Sequence, residues 1–206
     1  LDQLNRRATS DLALASDSLA AELKRFRELA VLTADRPEVS AALRDADDVE
    51  ALRPVLQEIA DKTGALDIRL VGLDGAQVAG VQAGVANSHA GAPYFERAMD
   101  GALGAANLMP SRVGPRRFIF AAPVFSAAGP VMGALMVSAG VEAVEDAWRG
   151  ARPALFFTDA QGMIFVSNRS ELVMRSRKAG DFIEYTARER SGYDLWTVDA
   201  GRYLPR

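Results

Sequence analysis

Cysteine is absent from this 206-residue chain, and histidine occurs once, as His89. Those two absences remove the Cys/His zinc sites, the thiol nucleophiles and the redox dithiols, and no disulfide framework can form. A chain of this length folds without staples, so the missing disulfides do not decide the compartment. Long apolar runs are also lacking. No window approaches the roughly 18 apolar residues of a membrane span, and residues 1–7 lack the charged-then-apolar order of a signal peptide. Nor does one sign of charge prevail: 24 Lys and Arg stand against 27 Asp and Glu, dispersed with no basic stripe, which excludes a nucleic-acid partner from the expected functions.

What is present is an ordinary globular balance, 49% hydrophobic and 25% charged, with length for one large domain or two small ones. Residues 1–34 contain neither Pro nor Gly, and Leu12, Leu19 and Phe26 recur every seven positions, joined by Leu4, Ala15, Leu23 and Ala30. That stripe is one face of a helix. At 1.5 Å per residue the helix is about 50 Å long, longer than the roughly 30 Å of a small domain, so it overhangs one module or runs beside two. Its seam suits packing on its own domain or pairing with a second copy. The sequence starts without Met and stops at Arg206 just after a strand-like run, so it reads as a piece of a longer protein.

Beyond Pro37 a short helix is expected over residues 38–43, then a longer one N-capped by Asp47-Asp48, carrying Leu52, Leu56 and Ile59 and C-capped by Gly64. The periodicity then becomes two. Residues 68–73, an Asp74-Gly75 turn and residues 77–81 form a hairpin, followed by a small-residue loop over 82–91 and a short helix over 93–99. Strands at 105–109, 117–125 and 131–139 complete a mostly antiparallel sheet of about five strands, and a connecting helix spans 141–149. From Pro153 the hairpin restarts: strand 154–158, turn Asp159-Ala160-Gln161-Gly162, strand 163–167, then strands at 182–188 and 195–198 in a smaller sheet. The expected architecture is α+β, a long N-terminal helix plus two tandem modules with antiparallel sheets.

Catalytic constellations are scarce. No Gly-rich phosphate loop follows a strand, no Ser lies in a nucleophile elbow, and no cofactor or metal is expected. His89 is the one proton shuttle near neutral pH, in a Gly/Ala/Ser loop without a sequence-local partner. The pairs Asp47-Asp48 and Glu145-Asp146 read as caps and solvated charges. Candidate ligand contacts are Tyr94, in Pro93-Tyr94-Phe95 at a helix start, and the following Ser111, Arg112, Arg117, Phe118 and Ser138, with His89 at the pocket mouth. Each has a bland alternative: Tyr94 and Phe95 as core, the arginines as a solvated loop. Strand parity turns Arg117 away from Arg116 and Phe118, so all three cannot line one pocket.

Several motifs occur in order: Leu32-Thr33-Ala34-Asp35-Arg36-Pro37-Glu38-Val39, the hairpin around Asp74-Gly75, Pro93-Tyr94-Phe95, Phe120-Ala121-Ala122-Pro123-Val124, the helix over 141–148, and Thr158-Asp159-Ala160-Gln161-Gly162. This order resembles the extracytoplasmic sensor domain of the C4-dicarboxylate sensor histidine kinases, a double PAS-like (double Cache) module. The resemblance implies three regions: 1–63 helical, 64–150 a membrane-distal ligand-binding module with its connecting helix, and 151–206 a smaller membrane-proximal module. It implies a periplasmic position on an inner-membrane protein with flanking transmembrane helices, a homodimer through the N-terminal helix, and a small organic ligand such as a carboxylate. Related expectations are the same module on a chemoreceptor or a cyclic-dinucleotide enzyme; from a different class stands a small hydrolase using His89. The family motif reads approximately RPYF, with a Lys in the last strand of the sheet. This chain keeps Tyr94 and Phe95 but has Ala92 at the Arg position and Ser138 near the Lys position, which points to a monoanionic or neutral, partly apolar ligand.

Overall fold

A computed structural model of the protein describes residues 2–82, 88–108, 115–149, 154–159, 162–178 and 181–184. The expected strand at 195–198 lies outside them, as do Ser111 and Arg112. The N-terminal segment forms one helix, α1 (Asp2–Ala34). Its buried positions Ala15, Leu19, Leu23, Phe26, Ala30 and Ala34 follow spacings of three and four, so they form one stripe. The stripe packs on the central sheet of its own chain. The heptad seam is therefore covered within the chain, and Leu19 and Phe26 have no surface left for a second copy.

Pro37 opens a short helix, α2 (Pro37–Ala42), and α3 (Asp47–Thr63) follows. The expected Asp47-Asp48 cap is corrected: Ala46 holds the cap position without a side-chain bond, while both aspartates sit in the first turn. There they favour the positive end of the helix, and Asp45 accepts the Asp47 N–H at 3.1 Å. Gly64 terminates α3 with a left-handed backbone, as the sequence implied.

The strands β1 (Asp67–Gly72), β2 (Gln77–Gly80), β3 (Gly104–Leu108), β4 (Arg117–Phe125) and β5 (Val131–Gly140) make a five-stranded sheet ordered β2-β1-β5-β4-β3, antiparallel throughout. The chain leaves β2 through a loop into α4 (Pro93–Met99), and α5 (Glu142–Trp148) follows β5. On one face of the sheet α1 packs on β4 and β5 and α3 on β1 and β2, burying Ile68, Leu70, Phe118, Phe120, Leu135 and Val137 in one core. On the other, α4 brings Tyr94, Phe95 and Ala98 against Val71, Ile119, Ala121 and Met136. The approach of α4 is close: a Cβ on Gly104 would lie 1.9 Å from the Tyr94 carbonyl oxygen, so β3 needs glycine there.

The second hairpin, β6 (Phe156–Thr158) and β7 (Ile164–Ser167), forms a separate two-stranded sheet, and β8 (Arg175–Lys178) with β9 (Asp181–Glu184) another. The hairpin repeat extends to the turn backbone. Gly72 N–H donates to Ala76 O and Gly75 N–H to Gly72 O; Asp159 N–H donates to Met163 O and Gly162 N–H to Asp159 O. Both turns place glycine at positive φ, Gly75 at 78° and Gly162 at 82°. The aspartates differ: Asp74 accepts from Ala76 N–H, Asp159 from Met163 N–H.

The second hairpin joins the same continuous core through Leu155, Phe165 and Val166. Glu145 ties this junction together, which corrects its reading as a solvated charge. It accepts both Arg116 guanidinium N–H groups at 2.7 Å, and its Oε1 also accepts Ser167 N–H at 2.8 Å. Arg116 donates in turn to the Phe165 carbonyl, so the end of β4, α5 and β7 meet at one partly buried ion pair.

Candidate functional site

The two faces of the sheet differ in chemistry. Alternate residues of a strand point to opposite sides, and the α1 side of β1 and β5 is apolar. On the α4 side, Asp67 and Arg69 share a face with Val71, and the register pairs Asp67 with Ser138 and Ser138 with Ile119. Arg117, opposite Gly140, falls on the same side two residues before Ile119. Asp67 accepts from the Arg69 guanidinium through Oδ2, and its side chain is 0% exposed. Its Oδ1 has no hydrogen-bond partner among the described residues, and the same holds for Gln77 Oε1 on β2.

His89 reaches this face from the loop before α4. Its N–H donates to the Gly75 carbonyl at 2.9 Å and its carbonyl accepts from Ala92. A Cβ on Gly75 would lie 2.4 Å from Ala90 N, so the β1-β2 turn and this loop are in direct contact. The imidazole Nδ1 lies 2.8 Å from the Tyr94 hydroxyl, with the rings edge-on at 6.1 Å. Its Nε2 is buried without a partner among the described residues. Burial, and after it the Arg69 cation, lower the His89 pKa from 6.5; Asp67 raises it and Arg117 lowers it further. Those effects place the imidazole in the field of both arginines and the carboxylate. It is neutral at neutral pH, a hydrogen-bonding group and not a third cation.

Of the expected ligand contacts, Tyr94, Arg117, Ser138 and His89 come together on the α4 side. Tyr94 is core, 1% exposed, with its hydroxyl turned to His89. Phe118 is corrected: it points to the opposite face and stacks edge-on against Phe165 with centroids 5.1 Å apart. Arg116 turns away with it, as parity required, into the ion pair with Glu145. Asp67 and Arg69 were missed. The apolar neighbours Ile68 and Leu70 make the strand read as half-solvated, with 67 and 69 on the wet side; the signal was two opposite charges two apart, able to satisfy each other on a buried face. Asp67 is the cross-strand partner of Ser138, and Arg69 lies two residues on, paired with Asp67.

Hydrogen-bonding capacity and charge converge here. Tyr94 is the hydrogen-bond partner of His89, and among the described residues no hydroxyl of Ser or Thr and no carboxylate bonds to the imidazole. Among the described residues no group of three or more His, Asp or Glu side chains is placed to hold a metal. The arrangement offers hydrogen-bonding and charged groups that can recognise a small polar molecule.

No protein-family model matches the sequence, and no curated protein matches it at a significant level. Solved structures do match. The sensor domain of the V. cholerae histidine kinase DctB is 20% identical, over 85% of this chain and 70% of that one, with a TM-score of 0.76. The ligand-binding domain of the Campylobacter jejuni chemoreceptor Tlp3, in complex with L-valine, is 14% identical over 87% of this chain and 77% of that one, with a TM-score of 0.66. That of the Pseudomonas fluorescens chemoreceptor CtaA, in complex with L-serine, is 15% identical over 85% and 77%, with a TM-score of 0.63. At such identities the likeness is one of fold: this chain shares its fold with the sensor domain of a histidine kinase and with the ligand-binding domains of chemoreceptors.

Proposed function

We propose that this chain is the periplasmic ligand-sensing domain of a transmembrane two-component sensor histidine kinase, and that it binds a small organic molecule on the α4 face of its five-stranded sheet. The observation that carries the reading is the convergence of Asp67, Arg69, Arg117, Ser138, Tyr94 and His89 on one otherwise apolar face of a sensor-domain fold. The molecule divides into a helical region, 1–63, a membrane-distal module with its connecting helix, 64–150, and a smaller membrane-proximal PAS-like module, 151–206. The repeated turn at 72–76 and 159–163 supports this division. No described helix is long and apolar enough to cross a membrane, and this reading puts the spans in segments flanking this one. The likeness to chemoreceptor domains favours a second reading, the same module on a chemoreceptor, because a fold does not fix the output domain.

Ligand binding shifts the population of the distal module between two states by no more than its differential affinity for them. Arg117 faces the ligand while its neighbour Arg116 grips α5 and β7, so a displacement of the start of β4 reaches the second module directly. The homodimer forms through α1, on the face that the intrachain core leaves open.

A thermal-shift screen of organic acids, amino acids and amines tests the reading. A true ligand at 100 times its dissociation constant adds about 2.7 kcal/mol of stability, and the gain is expected to fall in Arg117→Gln. A screen in which no compound stabilises the protein, or in which stabilisation is indifferent to the α4 face, overturns it. Two apolar spans around this segment with a kinase core downstream separate the first reading from the chemoreceptor.

A further inference from the structure

We propose that the ligand is a small zwitterion of the amino-acid class, its ammonium group held by Asp67 and its carboxylate by Arg117. The inference rests on the ligand-sensing reading and specifies its chemistry from what the α4 face leaves unmatched. Asp67 Oδ2 is taken by Arg69, but Oδ1, on a side chain with no exposed surface, accepts nothing from the described residues. A buried carboxylate oxygen without a donor is costly, and native structures seldom keep one without a role. Gln77 Oε1 is a second such acceptor on the neighbouring strand. Its amide lies beside Arg69: a Cβ on Gly80 would meet Gln77 Nε2 at 2.6 Å and Arg69 Cγ at 3.3 Å. These two orphaned oxygens call for donors, and a ligand hydroxyl brings one proton where an ammonium brings three.

Charge separates the two ends of the ligand. Arg69 is neutralised by Asp67, whereas Arg117 forms no ion pair among the described residues and is only half-buried. A guanidinium in that state takes a carboxylate through two parallel hydrogen bonds. A dianion would bring its second negative group against Asp67, and a simple amine would leave Arg117 unmatched. Only a molecule carrying both signs meets both residues.

Isothermal titration of the wild-type chain with L-amino acids, with the matching 2-hydroxy acids and with the matching decarboxylated amines tests the assignment without any variant. L-Valine, 2-hydroxy-3-methylbutanoate and isobutylamine make one such set. The expected result is that at least one amino acid binds, and at least tenfold more tightly than its hydroxy acid and its amine. Asp67→Asn then weakens that amino acid at least tenfold and leaves the hydroxy acid unchanged, while Arg117→Gln weakens both. A hydroxy acid or dicarboxylate that binds as tightly as the best amino acid overturns the zwitterion and leaves the sensor reading standing; a chain that binds no compound of any class overturns both. Full amino-acid affinity in an Asp67→Asn protein with a cooperative melting transition also overturns the role of Asp67, and if that variant does not fold, the wild-type comparison decides alone.

Discussion

His89 shows what one neutral side chain does for this face. In the unfolded chain it takes a proton near 6.5, and in the folded chain burial and the Arg69 cation push that event lower, with Asp67 opposing and Arg117 assisting. Between the two values the unfolded state binds more protons, so stability is fully present above about 6.5 and declines as pH falls toward the folded value. Urea midpoints of the wild type and His89→Gln, measured from pH 7.5 to 5, are expected to differ in slope below pH 6.5, the variant being flatter. Equal slopes would remove His89 from the pH dependence. Tyr94→Phe, which deletes the 2.8 Å contact to Nδ1, is expected to lose about 1 kcal/mol and to move the His89 titration, readable by NMR of the single imidazole. At this scale the sequence was half legible. Residue type, and the expectation that the helix start faces the strands after it, pointed to Tyr94, Arg117, Ser138 and His89, which the structure places on one side of the sheet, whereas Asp67 and Arg69 look solvated until β5 is known to lie beside β1. Phe118 failed because its parity was applied to Arg117 and not to itself.

Among elements, the decisive contacts are those between segments distant in the chain. β4 and β5 were readable because two apolar stretches, Arg117–Phe125 and Val131–Gly140, are separated by a short turn containing Gly129-Pro130. Glu145 was misread because the helical pattern of α5 places it among polar residues, and its partner lies 29 positions away in sequence. Removing one member of a partly buried pair leaves the other charge unmatched, so Glu145→Ala is expected to cost about 3 kcal/mol. Glu145→Gln, which still accepts from Arg116 and Ser167, is expected to cost clearly less. Chemical denaturation with an unchanged slope is the check, and equal costs would show that the charge contributes nothing. The packing of α4 offers a second test. Because a Cβ at position 104 would meet Tyr94 backbone at 1.9 Å, Gly104→Ala displaces the helix that carries Tyr94 and is expected to destabilise by about 1–3 kcal/mol. The variant should also weaken ligand stabilisation, whereas Ala105→Gly, beside it on the other face, should leave binding intact.

For the whole molecule, the long helix presents two faces along one length. Its stripe from Ala15 to Ala34 is committed to the sheet, with Leu19 and Phe26 only 1% and 3% exposed. Heptad spacing alone could not separate that use from a dimer seam, since both bury every third or fourth residue. What distinguishes them is the other face, where Leu14 is 66% and Leu32 68% exposed. A dimer through α1 must use that face, because freeing Phe26 for a partner would strip it from the core at a cost of about 3–5 kcal/mol, the range for truncating a buried aromatic. The chain has no cysteine of its own, so single Leu14→Cys, Leu19→Cys and Phe26→Cys variants each carry one thiol. Oxidation of membranes holding the full-length protein is expected to crosslink Leu14→Cys and to spare Leu19→Cys and Phe26→Cys. If ligand moves α1 relative to its partner, the Leu14→Cys rate changes when a stabilising compound from the thermal-shift screen is added. Rapid crosslinking at position 19 or 26 would mean that the helix leaves its sheet in the assembled protein, and the dimer would then have to be built on the seam and not on the exposed face.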